Sequence, residues 1–313
     1  MKIGVTRIFE NNSDNFTTNI GISIRRTIYP LLKPLLKLAT KRRLIVEHYP
    51  NLKKGKPYIF ASTHYFDEDI IANLATLDRN AWSLAGSTNQ IENNPLMIFN
   101  WLTGIIYVDR LSSESRKDSI KKMKRILSAG SSVILFPEGG WNNSENLLVQ
   151  KLFSGAYYLS HDLSIPVVPI SVFHDDNSSE IYIYADEPLL LFDFDKQIAN
   201  TILRDTLATN LYKQMEEHSK PIYRSGLSYD LHLEYMEKRK KEYMRVHWTR
   251  DVWEEELTSY KDKCIADFSD VYSFLDYIEI NKNNAYILAP LISCRIENEK
   301  YDFKKYMHEN WNK

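Results

Sequence analysis

Between residues 57 and 192, short apolar runs alternate with longer amphipathic stretches. The runs "PYIFA", "AWSLAG", "GIIYV", "SSVILF", "IPVVPISVF" and "EIYIYA" are short and rich in β-branched and aromatic residues. They predict strands, with "PYIFA" a buried one. Between them, a helix is expected to begin near Asp69, and "NPLMIFNWLTG" reads as another. From Arg116 to Ala129, Ile120, Met123 and Leu127 share one face and the lysines take the other, the pattern of a surface helix. Gly130 then suits the left-handed position that ends it. Strands alternating with helices predict an α/β sheet covered on both faces. In such sheets reactive groups gather in the loops at one end of the strands.

The flanks differ. Residues 21–46 hold Arg25, Arg26, Lys33, Lys37, Lys41, Arg42 and Arg43 and no acid. At helical spacing Arg26, Lys33, Lys37 and Lys41 fall on one side, and Ile28, Leu31, Leu32, Leu35, Leu38 and Ala39 on the other. Such a stretch fits a membrane interface, each cation near an anionic surface contributing ~1 kcal/mol. It also fits a surface helix packed on its own domain, and Pro30 and Pro34 interrupt regular helix. From about Asp195 the chain turns to long charged helical patterns, with a break at "SKPIYRSGLSYD", residues 219–230. The expected organisation is a basic membrane-contact segment at 1–50, an α/β domain at 51–195 and a helical extension of open role at 196–313.

Composition narrows the classes. A hydrophobic share of 43% and a net charge of -1 over 313 residues describe a folded chain with no global attraction to nucleic acid. Cys264 and Cys294 lack metal-type spacing, which fits a reducing compartment. The opening "MKIGVTRIFENN" lacks the apolar core of a signal peptide, and no run approaches the ~18 residues of a membrane span. The expected location is cytoplasmic, peripheral at the inner face of the membrane.

The chemistry-bearing stretch is "FASTHYFDED", residues 60–69. His64 follows a strand, and Asp69 stands five residues on, where a turn folds a carboxylate back toward the ring. A carboxylate on one imidazole nitrogen fixes the tautomer and leaves the other nitrogen to take a proton. Asp67 and Glu68 compete for that role, and either could cap the helix. "GIIYVDR" delivers Arg110 past another strand, and "LFPEGG" delivers Glu138 and two glycines past a third. With "IPVVPI", residues 165–170, these loops are expected to meet at one sheet edge. "FHDD", residues 173–176, holds metal-type residues, but such a loop contains acids without any metal; no metal or cofactor is expected.

In these blocks the chain resembles the glycerolipid acyltransferases, whose best-known members esterify glycerol 3-phosphate and lysophosphatidic acid. The resemblance runs over roughly residues 25–190. It rests on His64 and Asp69 with four residues between, on Gly104 to Arg110, on Phe136, Pro137, Glu138 and Gly139, and on the apolar stretch Ile165 to Pro169. It implies a mixed, largely parallel sheet flanked by helices. It implies that His64 is the general base on an acceptor hydroxyl and that Asp69 orients it. The donor is then a thioester, acyl-CoA or acyl carrier protein, and the acceptor a lysophospholipid or related lysolipid. The head group is placed near Arg110 and Glu138, with Gly104, Phe136, Pro137, Gly139 and Lys151 completing the substrate-binding set. Arginine suits phosphate because its planar fork binds two oxygens at once. Backbone N–H groups around Gly139 are candidates for an oxyanion site.

The chain departs from the family after the third block, with Gly140, Trp141 and Asn142 where relatives carry Thr-Arg-Ser. "QKLFSG" keeps only Lys151 nearby. Fewer fixed cations leave a lysoglycolipid open as acceptor, with Trp141 on an apolar or sugar face, unless Arg116, Lys117 or Lys151 covers the deficit. A non-catalytic lipid-binding scaffold, and a lipid hydrolase or transacylase, are the alternative readings.

Overall fold

The computed structural model describes residues 17–40, 42–66, 68–86, 102, 104–108, 113–142, 147–174 and 178–219, with isolated positions between 228 and 288. Arg110, Asp67, Lys41, both cysteines, Asp175, Asp176, most of the helical pattern expected at 94–104 and the helical patterns after 242 lie outside these. The chain divides into units Met1–Glu256 and Leu257–Lys313. In the second, the described residues form a turn in which Ala285 N–H donates to Asn281 O.

In the first unit α1 (Asn19–Ala39) leads to β1 (Arg43–His48) and β2 (Ile59–Ser62). Then come α2 (Glu68–Thr76), β3 (Ala81–Gly86), β4 (Ile105–Val108), α3 (Ser113–Ser128) and β5 (Ser132–Leu135). The unit continues with α4 (Gly155–Leu163), β6 (Val167–Phe173), β7 (Glu180–Ala185) and α5 (Lys196–His218). The strands form one seven-stranded sheet in the order β1-β7-β6-β2-β5-β3-β4. β6, β2, β5, β3 and β4 run parallel, and β7 turns back against β6 and carries β1 with it. This is the helix-flanked α/β sheet that the alternation predicts, mixed and largely parallel as the resemblance implies.

Period-two alternation within the buried strands builds two cores. Ile59, Ala61, Val133, Leu135 and Val167 meet α3, α4 and α5 on one face. Phe60, Ile134, Val168 and Ile170 meet α1 and α2 on the other. Gly130, at φ +78°, ends α3, and Ser131 N–H reaches back to Ile126 O, the expected left-handed stop. α5 begins at Asp195, whose side chain caps Gln197 and Ile198 N–H. Its Ala199, Leu203 and Leu207 are fully buried in the first core, so the segment after 195 opens as part of the sheet's covering.

The basic stretch at 21–46 splits in two. Helix runs to Ala39, and Arg43–His48 joins the sheet as an edge strand paired with β7. Ile22, Arg25, Tyr29 and Leu36 face inward from α1. Arg25 is fully buried, its guanidinium 4.7 Å over the Trp82 ring and its Nε donating to Leu102 O. Burial pushes that guanidinium down, to about 9. Lys33 donates to Leu77 O and Arg26 to Ala129 O, so two of the expected surface cations are tied to the protein's own carbonyls. Leu31, Leu35 and Leu38 are 73%, 61% and 81% exposed, with Ile20 and Ile24 along the same stripe. The apolar side predicted from spacing thus faces away from the domain.

Candidate functional site

β2 is the central strand, and His64 follows it at the end where the parallel strands finish. Thr63 N–H donates to Ile170 O, and Thr63 Oγ1 accepts from Val172 N–H, so the chain stays tied to β6 up to the residue before His64. It then turns into α2. The turn is closed by Asp69, in the first turn of that helix, where a negative charge is favoured by the helix dipole. Asp69 Oδ2 accepts from Tyr65 N–H at 2.7 Å and Phe66 N–H at 2.9 Å, and lies 3.1 Å from His64 Nδ1. The Asp69 side chain is 1% exposed and the His64 ring 12%. The acid is therefore sealed, and the ring is reachable. Glu68 is engaged elsewhere, 3.1 Å from Arg42 Nε. Of the two described acids of the loop, Asp69 is the one placed on His64.

With Nδ1–H donated to Asp69, Nε2 is left as an unprotonated acceptor. No described residue bonds it. Phe136 stacks on the ring at 4.1 Å between centroids, and Trp141 meets it edge-on at 6.1 Å. These contacts hold the imidazole between the Asp69 turn and the loop after β5.

That loop is the second wall. Phe136–Gly139 closes as a turn, with Gly139 N–H donating to Phe136 O. Gly139 sits at φ +77°, and a Cβ there would stand 2.3 Å from the Phe153 ring, so both backbone and packing call for glycine. Its N–H is spent in the turn and is not an open oxyanion donor. Pro137 is buried behind it, its carbonyl accepting Phe153 N–H. Glu138 is fully buried. Its Oε1 accepts from His64 N–H at 3.3 Å and its Oε2 from Gln150 N–H at 2.9 Å. A carboxylate at that depth faces the protein's main chain and not a head group. Lys151, the next residue along, is exposed.

Two expected partners are elsewhere. Gly104 precedes β4, at the end where the strands begin. At φ +88°, it makes room for the Arg25 guanidinium, which a Cβ would meet at 2.2 Å. Ile165–Pro169 runs into β6, with Val167 and Pro169 paired to Ile59 and Ala61. It is core strand and lies beside the start of β2, not at the edge that carries His64. Arg110 is outside the described residues, and Arg116 and Lys117 are exposed on α3.

Sequence reasoning missed Tyr65, Asn142, Gln150 and His174 as members of this edge. Asn142 N–H donates to His64 O at 2.7 Å. His174 is 5% exposed and packs its ring on Phe66. These contacts join loops more than seventy residues apart, and no local spacing announces them. Among the described residues, the His and acid side chains close enough to share an ion are Glu47, Glu217 and His218. They lie where α5 meets β1, away from His64, and His218 Nε2 already pairs with Glu47.

Residues 43–173 match the acyltransferase family model. No curated protein matches the chain. Among solved structures, the fold is similar to that of the 1-acyl-sn-glycerophosphate (LPA) acyltransferase PlsC from Thermotoga maritima, with a TM-score of 0.51 and 15% identity. The alignment covers 69% of this chain and 97% of that one. Likeness at this identity speaks for the fold; function rests on the site.

Proposed function

From the match of residues 43–173 to the acyltransferase family model, we propose that the chain is an acyltransferase that moves a fatty acyl group from a thioester to a hydroxyl of a lysophosphatidic-acid-like lysolipid. His64 is the general base, and Asp69 holds it. The observation that carries this reading is the sealed Asp69 carboxylate on Nδ1 of a ring whose other nitrogen no described residue bonds.

The acceptor O–H gives its proton to His64 Nε2, and Asp69 stabilises the imidazolium that forms. The oxygen attacks the thioester carbonyl and gives a tetrahedral oxyanion. That intermediate collapses by breaking the C–S bond. The leaving thiolate takes the proton back from Nε2, so the ester and the free thiol leave with the enzyme unchanged. Acyl-CoA and acyl carrier protein both supply such a thioester. Glu138 serves by holding the His64 main chain. Trp141, 7% exposed, offers little open face for a sugar, which favours the phosphate-bearing acceptor over a lysoglycolipid, with Arg110 as its cation.

The exposed stripe Ile20, Ile24, Leu31, Leu35 and Leu38 supports membrane contact through α1, since an apolar helical face beside cations suits an interface. No described helix is long and apolar enough to cross a membrane. Replacing Leu31, Leu35 and Leu38 with serine is expected to weaken flotation with anionic liposomes while leaving turnover on micellar substrate intact. Unchanged flotation removes α1 as the anchor.

The reaction is tested with the purified chain, radiolabelled palmitoyl-CoA and lysophosphatidic acid. Labelled phosphatidic acid is expected. Labelled free fatty acid without acceptor dependence makes the protein a hydrolase instead, and lipid binding without product makes it a scaffold.

A further inference from the structure

Beyond the pair that does the chemistry, the site contains a buried lattice of side-chain amides and one hydroxyl. Asn142 is 3% exposed and Gln150 fully buried, so neither meets substrate. Every polar atom of the Asn142 side chain is engaged. Its Nδ2 lies 3.1 Å from Tyr65 Oη, 2.9 Å from Leu147 O and 3.1 Å from Leu148 O. Its Oδ1 accepts from Gln150 Nε2 at 3.0 Å. Tyr65 Oη in turn donates to Leu148 O at 2.6 Å. The backbone of the same asparagine donates to His64 O.

We propose that Asn142 is a positioning residue for acyl transfer: with Tyr65 and Gln150 it locks the 147–150 loop to the main chain that carries His64. The proposal rests on His64 being the base. Three ties grip that main chain: Glu138 Oε1 takes His64 N–H, Asn142 N–H takes His64 O, and Asp69 Oδ2 takes Tyr65 N–H. The first and second depend on the lattice, because Gln150 places the second oxygen of Glu138 and the Asn142 side chain fixes its own backbone. Serine at this position leaves the carbonyl of Leu147 and the amide of Gln150 each short of a partner, and aspartate turns an oxygen onto the carbonyls of Leu147 and Leu148. Reacting groups misplaced by ~1 Å lose rates by orders of magnitude.

The test compares the full chain and its Asn142→Ala, Tyr65→Phe, Asp69→Asn, Asp69→Asn/Asn142→Ala and His64→Ala variants. Palmitoyl-CoA and lysophosphatidic acid in mixed micelles are the substrates, and thermal unfolding is followed in parallel. Asn142→Ala is expected to lower kcat about 10²-fold with the acceptor KM held within about twofold. Tyr65→Phe, which removes one oxygen with its bonds to Leu148 O and Asn142 Nδ2, is expected to lower kcat about tenfold with unfolding little changed. The double variant is expected to lose less than the product of its two parts, because both act through one imidazole. If Asn142→Ala does not fold, Tyr65→Phe and its double with Asp69→Asn carry the same expectations. Unchanged kcat, a rise confined to KM, or losses that multiply overturns the proposal. If His64→Ala keeps the parental rate, or the parent forms no ester, the functional reading fails first and the lattice proposal goes with it; a His64-dependent rate that ignores Asn142 and Tyr65 sinks the lattice alone.

Discussion

Among the described residues of the first unit, two of the histidine–carboxylate pairs are built to opposite ends. In one, His64 uses Nδ1 toward Asp69, the carboxylate is sealed by two further main-chain N–H groups, and Nε2 is left to the open edge. In the other, His218 uses Nε2 toward Glu47 at 2.5 Å, and its ring lies flat on Tyr182 at 3.6 Å between centroids. There the acid is also held by Gln214 Nε2, and the contacts fasten α5 to the edge strand β1. Proximity of an acid to an imidazole is common to both. What separates the two pairs is a carboxylate locked by two main-chain N–H groups and a second ring nitrogen that no described residue bonds.

Changes to the two pairs should therefore read out differently. Asp69→Asn is expected to lower kcat about 10²–10³-fold, since an amide cannot stabilise the imidazolium; steady-state acyl transfer checks it, and a loss under tenfold contradicts the assigned role. Glu138→Gln comes next. One of its two main-chain N–H partners then faces an amide donor, with an expected cost of about 1–3 kcal/mol in chemical unfolding and about a tenfold loss in kcat. A rise in acceptor KM with kcat unchanged restores the head-group role expected from the motif. Glu47→Gln, at the clasp, is expected to cost at most about 1 kcal/mol in stability, with turnover unaltered.

The smallest effect concerns acid. Burial raises the Asp78 carboxyl, but hydrogen bonds from Arg79 and Tyr49 outweigh it and hold the pKa below the usual value. Tyr49 Oη donates to Asp78 at 2.7 Å. A carboxyl depressed in the folded state contributes stability above its unfolded pKa of about 3.9 and loses it as pH falls through the folded value. Tyr49→Phe is thus expected to flatten the acid limb of the unfolding midpoint below about pH 4 and to change little at neutral pH.

The parallel centre of the sheet was legible because its strands are buried on both faces and so appear as unbroken apolar runs. "AWSLAG" coincides with β3; "EIYIYA", outside that centre and buried at every second position, coincides with β7. "RLIVEH" was not, because an edge strand is half exposed and this one begins and ends in charge. The stripe on α1 was legible as periodicity, but not which side faces inward: the buried side turns on Arg25 packing over Trp82, a contact no hydrophobicity count anticipates. His64 and Asp69 were legible because one turn joins them. Glu138 was legible as a site residue but not as a main-chain clamp, and Gly104 answers to Arg25 and not to substrate. Tyr65, Asn142 and Gln150 depend on loops that meet only once the sheet has formed.

The account stands on which histidine takes the proton. The direct measurement is the single-turnover rate of ester formation for His64→Ala beside His218→Ala, both confirmed folded by near-UV circular dichroism. The structure predicts a loss of at least about 10³-fold for His64→Ala and a rate for His218→Ala that matches the parent. A His64→Ala protein that forms ester at the parental rate contradicts it.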